Sequence, residues 1–343
     1  MEFLHSDERI LSVSHNITQQ FLTDYSPTDK PWDTNKAFNG EVSEILDSSD
    51  KRSHQKQAKR MNDCADNLEF GWVLISNETG ECKLRLKSAQ FCRVRHCPIC
   101  QWRRALMWIS RFFDAFPKIY AAYPEMRYIM LTVTVRNCEI AELRTTVDRM
   151  ANAWNKLTKR KDYPAEGFVR SLEVTRGKDG SAHPHFHILL AVPPSYFGHS
   201  YLSKDKWAEL WRSAMKLDYK PVCDVRIVKE RKEKAVDLEG CNEPKNDKIG
   251  AALMSAITET IKYTTKPSDM VKDKTWLLEM VSQMRNVRAL SMGGIFKQFL
   301  KESDDNQDLI AASETDIEKQ TVNEGGLHFG WREKVKKYAK KDK

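Results

Sequence analysis

Three histidines at alternate positions, His183-Pro184-His185-Phe186-His187, run into Ile188-Leu189-Leu190. The run has the two-residue period of a strand. Side chains two apart on a strand leave the same face, so the imidazoles stand together while Phe186, Ile188 and Leu190 point into a core. Neutral imidazole is the commonest metal ligand among side chains, and two on a rigid strand can clamp a divalent ion. Chance explains such a run poorly in a 343-residue chain with 9 His. His183 stands apart, because Pro184 disturbs strand pairing and can turn that ring outward.

A third ligand lies upstream. In Val169-Arg170-Ser171-Leu172-Glu173-Val174-Thr175 the apolar Leu172 and Val174 share one face, which leaves Glu173 on the other. A hairpin that sets Leu172 and Val174 beside Phe186 and Ile188 therefore brings Glu173 to the histidine face; a surface glutamate is the plainer alternative. Two nitrogens and a carboxylate leave positions open for a phosphate oxygen, which suits Mn²⁺ or Mg²⁺ as a Lewis acid.

Further on comes Glu259-Thr260-Ile261-Lys262-Tyr263. On a helix, i and i+4 adjoin, so Glu259 and Tyr263 share a face, with Lys266 one turn on and Lys262 beside them. Alone, such a tyrosine caps or packs a core; next to a metal it becomes a nucleophile. A phenol of pKa about 10 is ionised to only about one part in a thousand at pH 7. Lys262 and Lys266 would supply positive charge, and Glu259 would take the proton.

Cys97-Pro98-Ile99-Cys100 is a CxxC knuckle with Cys92 five residues before it. Four thiolates would close a tetrahedral structural Zn²⁺ site, the fourth being Cys64 or Cys82; His96 abuts Cys97 and fits poorly. Buried free cysteines are the alternative. Cys138, Cys223 and Cys241 are isolated. The knuckle sits in a basic stretch: from Lys83 to Phe113 there are eight Lys or Arg and no acid. Its arginines, Arg93, Arg95, Arg103 and Arg104, are the expected DNA contacts, and binding through them weakens with salt.

The elements that must position these groups read as follows. Residues 1–58 are polar and aperiodic, with Thr28-Asp29-Lys30-Pro31 and Ser48-Ser49-Asp50 reading as solvated, disordered chain. A helix after Cys100 carries Trp102, Leu106, Ile109 and Phe113 at helical spacing. Residues 128–135 form a strand, with Ile129, Leu131, Val133 and Val135 on one face. A helix follows over 140–160, then a hairpin of 168–176 and 184–192 around Gly177-Lys178-Asp179-Gly180. Trp207, Leu210 and Trp211 mark a helix, and 222–228 a strand. Residues 229–248 are a charged connector, and a helix spans 251–265, closed by Pro267. The last twelve residues hold seven basic groups and two acids, a solvated tail. The order of strands and helices pairs neighbours antiparallel, so the fold class is α+β. Four parts result: a disordered 1–58, a basic cysteine-rich 59–112, a catalytic 113–300 and a charged tail 301–343.

Bulk numbers narrow the function classes. A chain that is 41% hydrophobic and 10% aromatic can bury a real core. The net charge of +8 is modest, so its distribution matters more than its sum. No run approaches the ~18 apolar residues of a membrane span, and no basic-then-apolar leader opens the chain. The 8 unevenly spaced Cys favour reduced thiols or metal ligands over a disulfide framework. The expectation is a cytoplasmic protein.

Together the motifs resemble the replication initiator (Rep) proteins of small bacterial plasmids that replicate by the rolling-circle mechanism, within the HUH endonuclease superfamily. The shared marks are Phe91-Cys92, Cys97-Pro98-x-Cys100 with Trp102-Arg103-Arg104, the strand Met130 to Val135, His183 to His187, and Glu259-x-x-Lys262-Tyr263-x-x-Lys266-Pro267. They occur in the family's order over about residues 60–270. The resemblance implies an HUH-type central antiparallel β-sheet flanked by helices, with an N-terminal zinc-binding segment in which Cys64 matches better than Cys82. It implies His185 and His187 on an inner strand, one catalytic tyrosine, Tyr263, on a helix over that sheet, and a 5′-phosphotyrosyl intermediate with a free 3′-hydroxyl. Single-stranded and origin DNA, host helicase and polymerase are the implied partners. The competing readings are another single-tyrosine HUH nuclease (transposase or relaxase), a histidine-triad nucleotide hydrolase, and a non-catalytic zinc-containing DNA-binding protein. A covalent DNA adduct at tyrosine separates the nucleases from the last two.

Overall fold

The computed structural model describes residues 20–76, 78–198, 201–229, 248–261, 264–300, 309–310 and 326–341. The chain opens with three helices, α1 (Leu22–Tyr25), α2 (Lys30–Asp47) and α3 (Arg52–Asn62). This overturns the expectation of solvated chain through residue 58; residues 1–19 lie outside the described residues. Pro31 sits in the first turn of α2, where a missing N–H costs nothing. The polar residues of α2 are buried because they cap α3. Ser43 Oγ donates to Ala58 O at 3.0 Å, Asn39 Nδ2 to Met61 O at 2.8 Å and Lys36 Nζ to Asn62 O at 3.1 Å. The carbonyls of Met61 and Asn62 lie in the last turn of α3, where no further helical N–H can reach them. Trp32 of α2 is 1% exposed and meets Phe70, Phe91, Trp102 and Tyr338.

A hairpin of β1 (Asn67–Leu74) and β2 (Cys82–Ala89) follows, and then the long α4 (Pro98–Ala122). Because α4 runs unbroken past residue 112, the expected boundary there falls inside one helix. Its buried stripe is Met107, Trp108, Phe112, Phe116 and Ile119, while Trp102, Leu106 and Phe113 of the expected stripe are only half-buried. The first turns pack on α2 and the later ones on α7 and α10, so the helix does not present a single core stripe along its length.

The central elements are β3 (Arg127–Thr134), α5 (Leu143–Leu157), β4 (Gly167–Arg176), β5 (Ala182–Val192), α6 (Lys204–Met215), β6 (Cys223–Ile227), α7 (Lys248–Thr260), α8 (Pro267–Met270), α9 (Lys274–Gln283), β7 (Leu290–Gly294) and α10 (Ile295–Phe299). The strands form one five-stranded sheet in the order β6-β3-β5-β4-β7, every pair antiparallel. On one face Leu131, Val133, Leu172, Phe186 and Ile188 join Trp154 of α5, Trp211 of α6 and Leu277 of α9 in a core. On the other, Met130, Val169, Leu189 and Ala191 pack under Phe112 of α4, Ile257 of α7 and Phe296 of α10. The architecture is α+β.

The chain ends in β8 (Leu327–Arg332) and β9 (Lys337–Lys340), which complete a second antiparallel sheet, β2-β1-β8-β9. Leu68 pairs with Phe329, and Tyr338 is fully buried with its hydroxyl donating to Ala65 O at 2.6 Å. The expected solvated tail is therefore, over residues 327–340, part of the fold around the cysteines. Alternation explains it: Phe329, Trp331 and Tyr338 face inward while the lysines face water. Among the described residues no helix is long and apolar enough to cross a membrane.

Candidate functional site

The register of β4 on β5 sets Glu173 directly opposite His185, and Ser171 opposite His187. Residues opposed in an antiparallel pair share a face. Glu173 Oε2 lies 2.9 Å from His187 Nε2 and 3.3 Å from His185 Nε2, and all three groups are buried. In an octahedral shell with ligands at about 2.1 Å, adjacent donors stand about 3.0 Å apart. The spacing thus fits three neighbouring positions on one ion.

The far sides of the rings are held as well. His187 Nδ1 is 3.3 Å from Thr132 Oγ1, and His185 Nδ1 is 3.2 Å from His183 O. A proton on each Nδ1 leaves Nε2 free as a ligand, the usual device by which outer contacts aim metal-binding imidazoles. Burial alone would raise the Glu173 carboxyl, but hydrogen bonds from His185 and His187 outweigh it and hold the group well below the usual carboxylate range. His183 lies outside the cluster, with its Nδ1 2.8 Å from Asn137 Oδ1.

Helix α7 lies over the histidine face, and it ends at Thr260 rather than at the expected 265. Tertiary bonds compete for its last turn: Ser171 Oγ donates to Thr260 O, and Val174 N–H donates to Thr264 O at 2.7 Å. Lys262 and Tyr263 lie outside the described residues, but both flanks of that pair are tied to β4 on either side of Glu173. Glu259 is ion-paired with Arg226 of β6, whose Nε is also 3.2 Å from Asp224 Oδ2. Lys266 is exposed and precedes α8. Sequence reasoning missed Thr132, Asn137, Asp224 and Arg226. Thr132 and Asp224 stand in one row with His187 across three strands, a relation that only the register reveals.

A second cluster joins Cys64, Cys92, Cys97 and Cys100, all buried; Cys82 lies apart, half-buried, on β2. Sulfur separations are 3.6 Å for Cys64–Cys100, Cys92–Cys100 and Cys64–Cys97. Four sulfurs about 2.3 Å from a central ion in a tetrahedron stand about 3.8 Å apart, close to these values. Each sulfur also accepts one main-chain N–H: Cys64 from Cys92 at 3.4 Å, Cys92 from Val94 at 3.4 Å, Cys97 from Cys100 at 3.5 Å and Cys100 from Arg93 at 3.3 Å. The positive φ of Arg93, 57°, makes the tight turn that aims two of these N–H groups inward. Thiols of Cys64, Cys92 and Cys97 donating to Cys100 hold it far below the ordinary thiol range, while burial pushes Cys97 up.

Of the four expected DNA contacts, Arg103 is corrected by its burial. Its Nε donates to Leu309 O at 2.9 Å and its Nη2 to Ile310 O at 3.0 Å, with the guanidinium 5.4 Å from the ring centre of Trp32. Arg93, Arg95 and Arg104 are half-buried.

Residues 83–339 match the model of a family described as "Replication protein". A "Protein rep" of Streptococcus pneumoniae serotype 2 is 31% identical over 84% of this chain and 86% of its own length. A "Protein rep" of Lentilactobacillus hilgardii is 32% identical over 83% and 87%. One from Bacillus amyloliquefaciens is 34% identical over 77% and 79%. No solved structure matches the chain.

Proposed function

The chain belongs to the Replication protein family of plasmid initiators, and from that membership we propose that it starts rolling-circle replication by nicking single-stranded origin DNA. The observation that carries the reading is the convergence of Glu173, His185 and His187 beside the segment whose flanking residues, Thr260 and Thr264, are bonded to β4.

Glu173, His185 and His187 would hold Mn²⁺ or Mg²⁺, and such an ion supplies Lewis-acid withdrawal of charge from a nonbridging phosphate oxygen. Tyr263 is the proposed nucleophile. Its phenolic O–H gives up its proton as the oxygen bonds to phosphorus, the bond to the 3′-oxygen breaks, and the 3′-oxygen takes up a proton in exchange. The products are a 5′-phosphotyrosyl protein and a free 3′-hydroxyl that primes a host polymerase, with a host helicase opening the duplex. One phosphodiester replaces another, so no nucleotide cofactor is consumed. Lys262 and Lys266 neutralise phosphate charge near the cut. Glu259 takes a proton from water in the terminating cut, for which it must release Arg226.

Cys64, Cys92, Cys97 and Cys100 would hold a structural Zn²⁺ that ties α3, the β2–α4 loop and α4 together. Arg93, Arg95 and Arg104 supply sequence-independent attraction to DNA phosphates. The protein would act in the cytoplasm, where its thiols stay reduced.

The test is incubation with single-stranded origin oligonucleotides and Mn²⁺, followed by denaturing electrophoresis. A shifted protein–DNA band is expected for the wild type and lost in Tyr263→Phe, His185→Ala and His187→Ala. An undiminished band in Tyr263→Phe would remove the tyrosine mechanism. Cleavage of a mononucleotide amide with no DNA adduct would favour the histidine-triad reading.

A further inference from the structure

A cleft of about 470 Å³ opens where β3 ends, lined by residues 135–139, by Glu142, Thr146 and Arg149, and by residues 215–219 beyond α6. Its size falls within the range of small-ligand pockets, about 300–1,000 Å³. Its α5 and α6 residues belong to the sheet face opposite the metal-ligand cluster, and the end of β3 links the two. Asn137 lines the cleft and holds the His183 ring, which lies 5.2 Å from the ring of His185. A strand held at the cluster would reach this opening around the end of β3, past His183 and Asn137.

The lining suits a base better than a phosphate. The guanidinium of Arg136 lies over the Tyr219 ring, 3.8 Å from its centre, and the Arg136 main-chain N–H donates to the Tyr219 hydroxyl at 2.8 Å. The Arg136 side chain remains 67% exposed, so the stacked pair presents a planar surface to solvent. Unpaired bases stack on aromatic rings and on arginine planes of this kind. Arg136, Arg149 and Lys216 are balanced by Glu139, Glu142 and Asp218 around the cleft. A site with no net charge gains little from an anion and loses little to a neutral heterocycle. Glu139 and Glu142 are exposed acceptors, and exocyclic amines are donors that adenine, cytosine and guanine carry and thymine lacks.

We infer that this cleft is a nucleobase subsite for the strand being cut, selecting a base with an exocyclic amine over thymine. The inference rests on the single-strand nicking reading, but its test uses binding alone. The full chain is titrated into fluorescein-labelled dC15, dA15 and dT15 without added divalent ion, and anisotropy is read. The wild type is expected to bind dC15 and dA15 about fivefold tighter than dT15, a discrimination of one modest base contact. Tyr219→Ala lowers dC15 affinity about tenfold, the cost of about one lost base stack. Glu142→Gln, an exposed and nearly isosteric change, shrinks the preference over dT15 to less than about twofold. Equal wild-type affinities for the three, an unchanged dC15 affinity in Tyr219→Ala, or an undiminished preference in Glu142→Gln would overturn the subsite. A tyrosine adduct without base preference defeats the subsite alone. Base preference without an adduct defeats the nicking reading and leaves a base-binding cleft.

Discussion

His187 and Thr132 face each other across β5 and β3, with Nδ1 3.3 Å from Oγ1. With Nε2 turned to an ion, the hydroxyl would accept from Nδ1–H and hold the ring toward Glu173. Thr132→Val keeps the shape and removes the acceptor. It is expected to weaken Mn²⁺ binding about tenfold, at the low end for such outer contacts. Calorimetric titration reads it, and unchanged affinity would show that packing alone aims the ring.

The cysteine cluster makes an asymmetric prediction. Cys64→Ser should release bound zinc and lower the midpoint of thermal unfolding, whereas Cys82→Ser should keep one zinc per chain and the wild-type midpoint. Elemental analysis with a thermal melt decides between them. Zinc loss in the Cys82 variant would transfer the fourth position to that residue.

Tyr338 predicts how far the fold depends on its last strand. The side chain is fully buried, packs 6.4 Å from Trp32 ring to ring, and closes a hydrogen bond to Ala65 O. Tyr338→Ala should cost about 3–5 kcal/mol, the usual range for a large buried aromatic. Urea unfolding measures it, and a loss below about 1 kcal/mol would mean that the terminal strand is dispensable.

Asp273 caps α9, accepting from Trp276 N–H at 3.0 Å and from Arg176 Nη2 at 2.8 Å. The Trp276 N–H holds the carboxyl below its ordinary 3.8, against a smaller upward push from burial, and Arg176 lowers it further. A depressed folded-state value stabilises the native state above the unfolded value, and the benefit is lost as pH falls through the folded one. Asp273→Ala should cost about 1 kcal/mol at pH 7. The difference from wild type should persist at pH 5 and shrink below about pH 3.8. A pH-independent difference in urea unfolding would assign the effect to packing.

The active-site strands were legible because alternation is local. The strand over 128–135 and the hairpin around Gly177 follow from residue types within ten positions, and the same alternation placed Glu173 on the histidine face. What was hidden depends on distant partners. Asn39 and Ser43 read as solvated residues, yet they are buried as caps for carbonyls of α3. Helical periodicity continues to Thr265, yet Ser171 and Val174 take the carbonyls of Thr260 and Thr264 that further turns would use. Arg103 sits in a run that looks like a phosphate-binding patch, and the approach of Leu309, Ile310 and Trp32, all distant in sequence, explains its burial.

The terminal sheet has a consequence for synthesis. Phe70 in β1 pairs with Leu327 in β8, so strands made early wait for partners made much later in the chain. Until β8 and β9 leave the ribosome, β1 offers an unsatisfied edge and Trp32 lacks part of its cover, which exposes the nascent chain to edge-to-edge association. A product truncated before β8 would carry the strands with Glu173, His185 and His187 and still be a poor initiator, because its first module would never close.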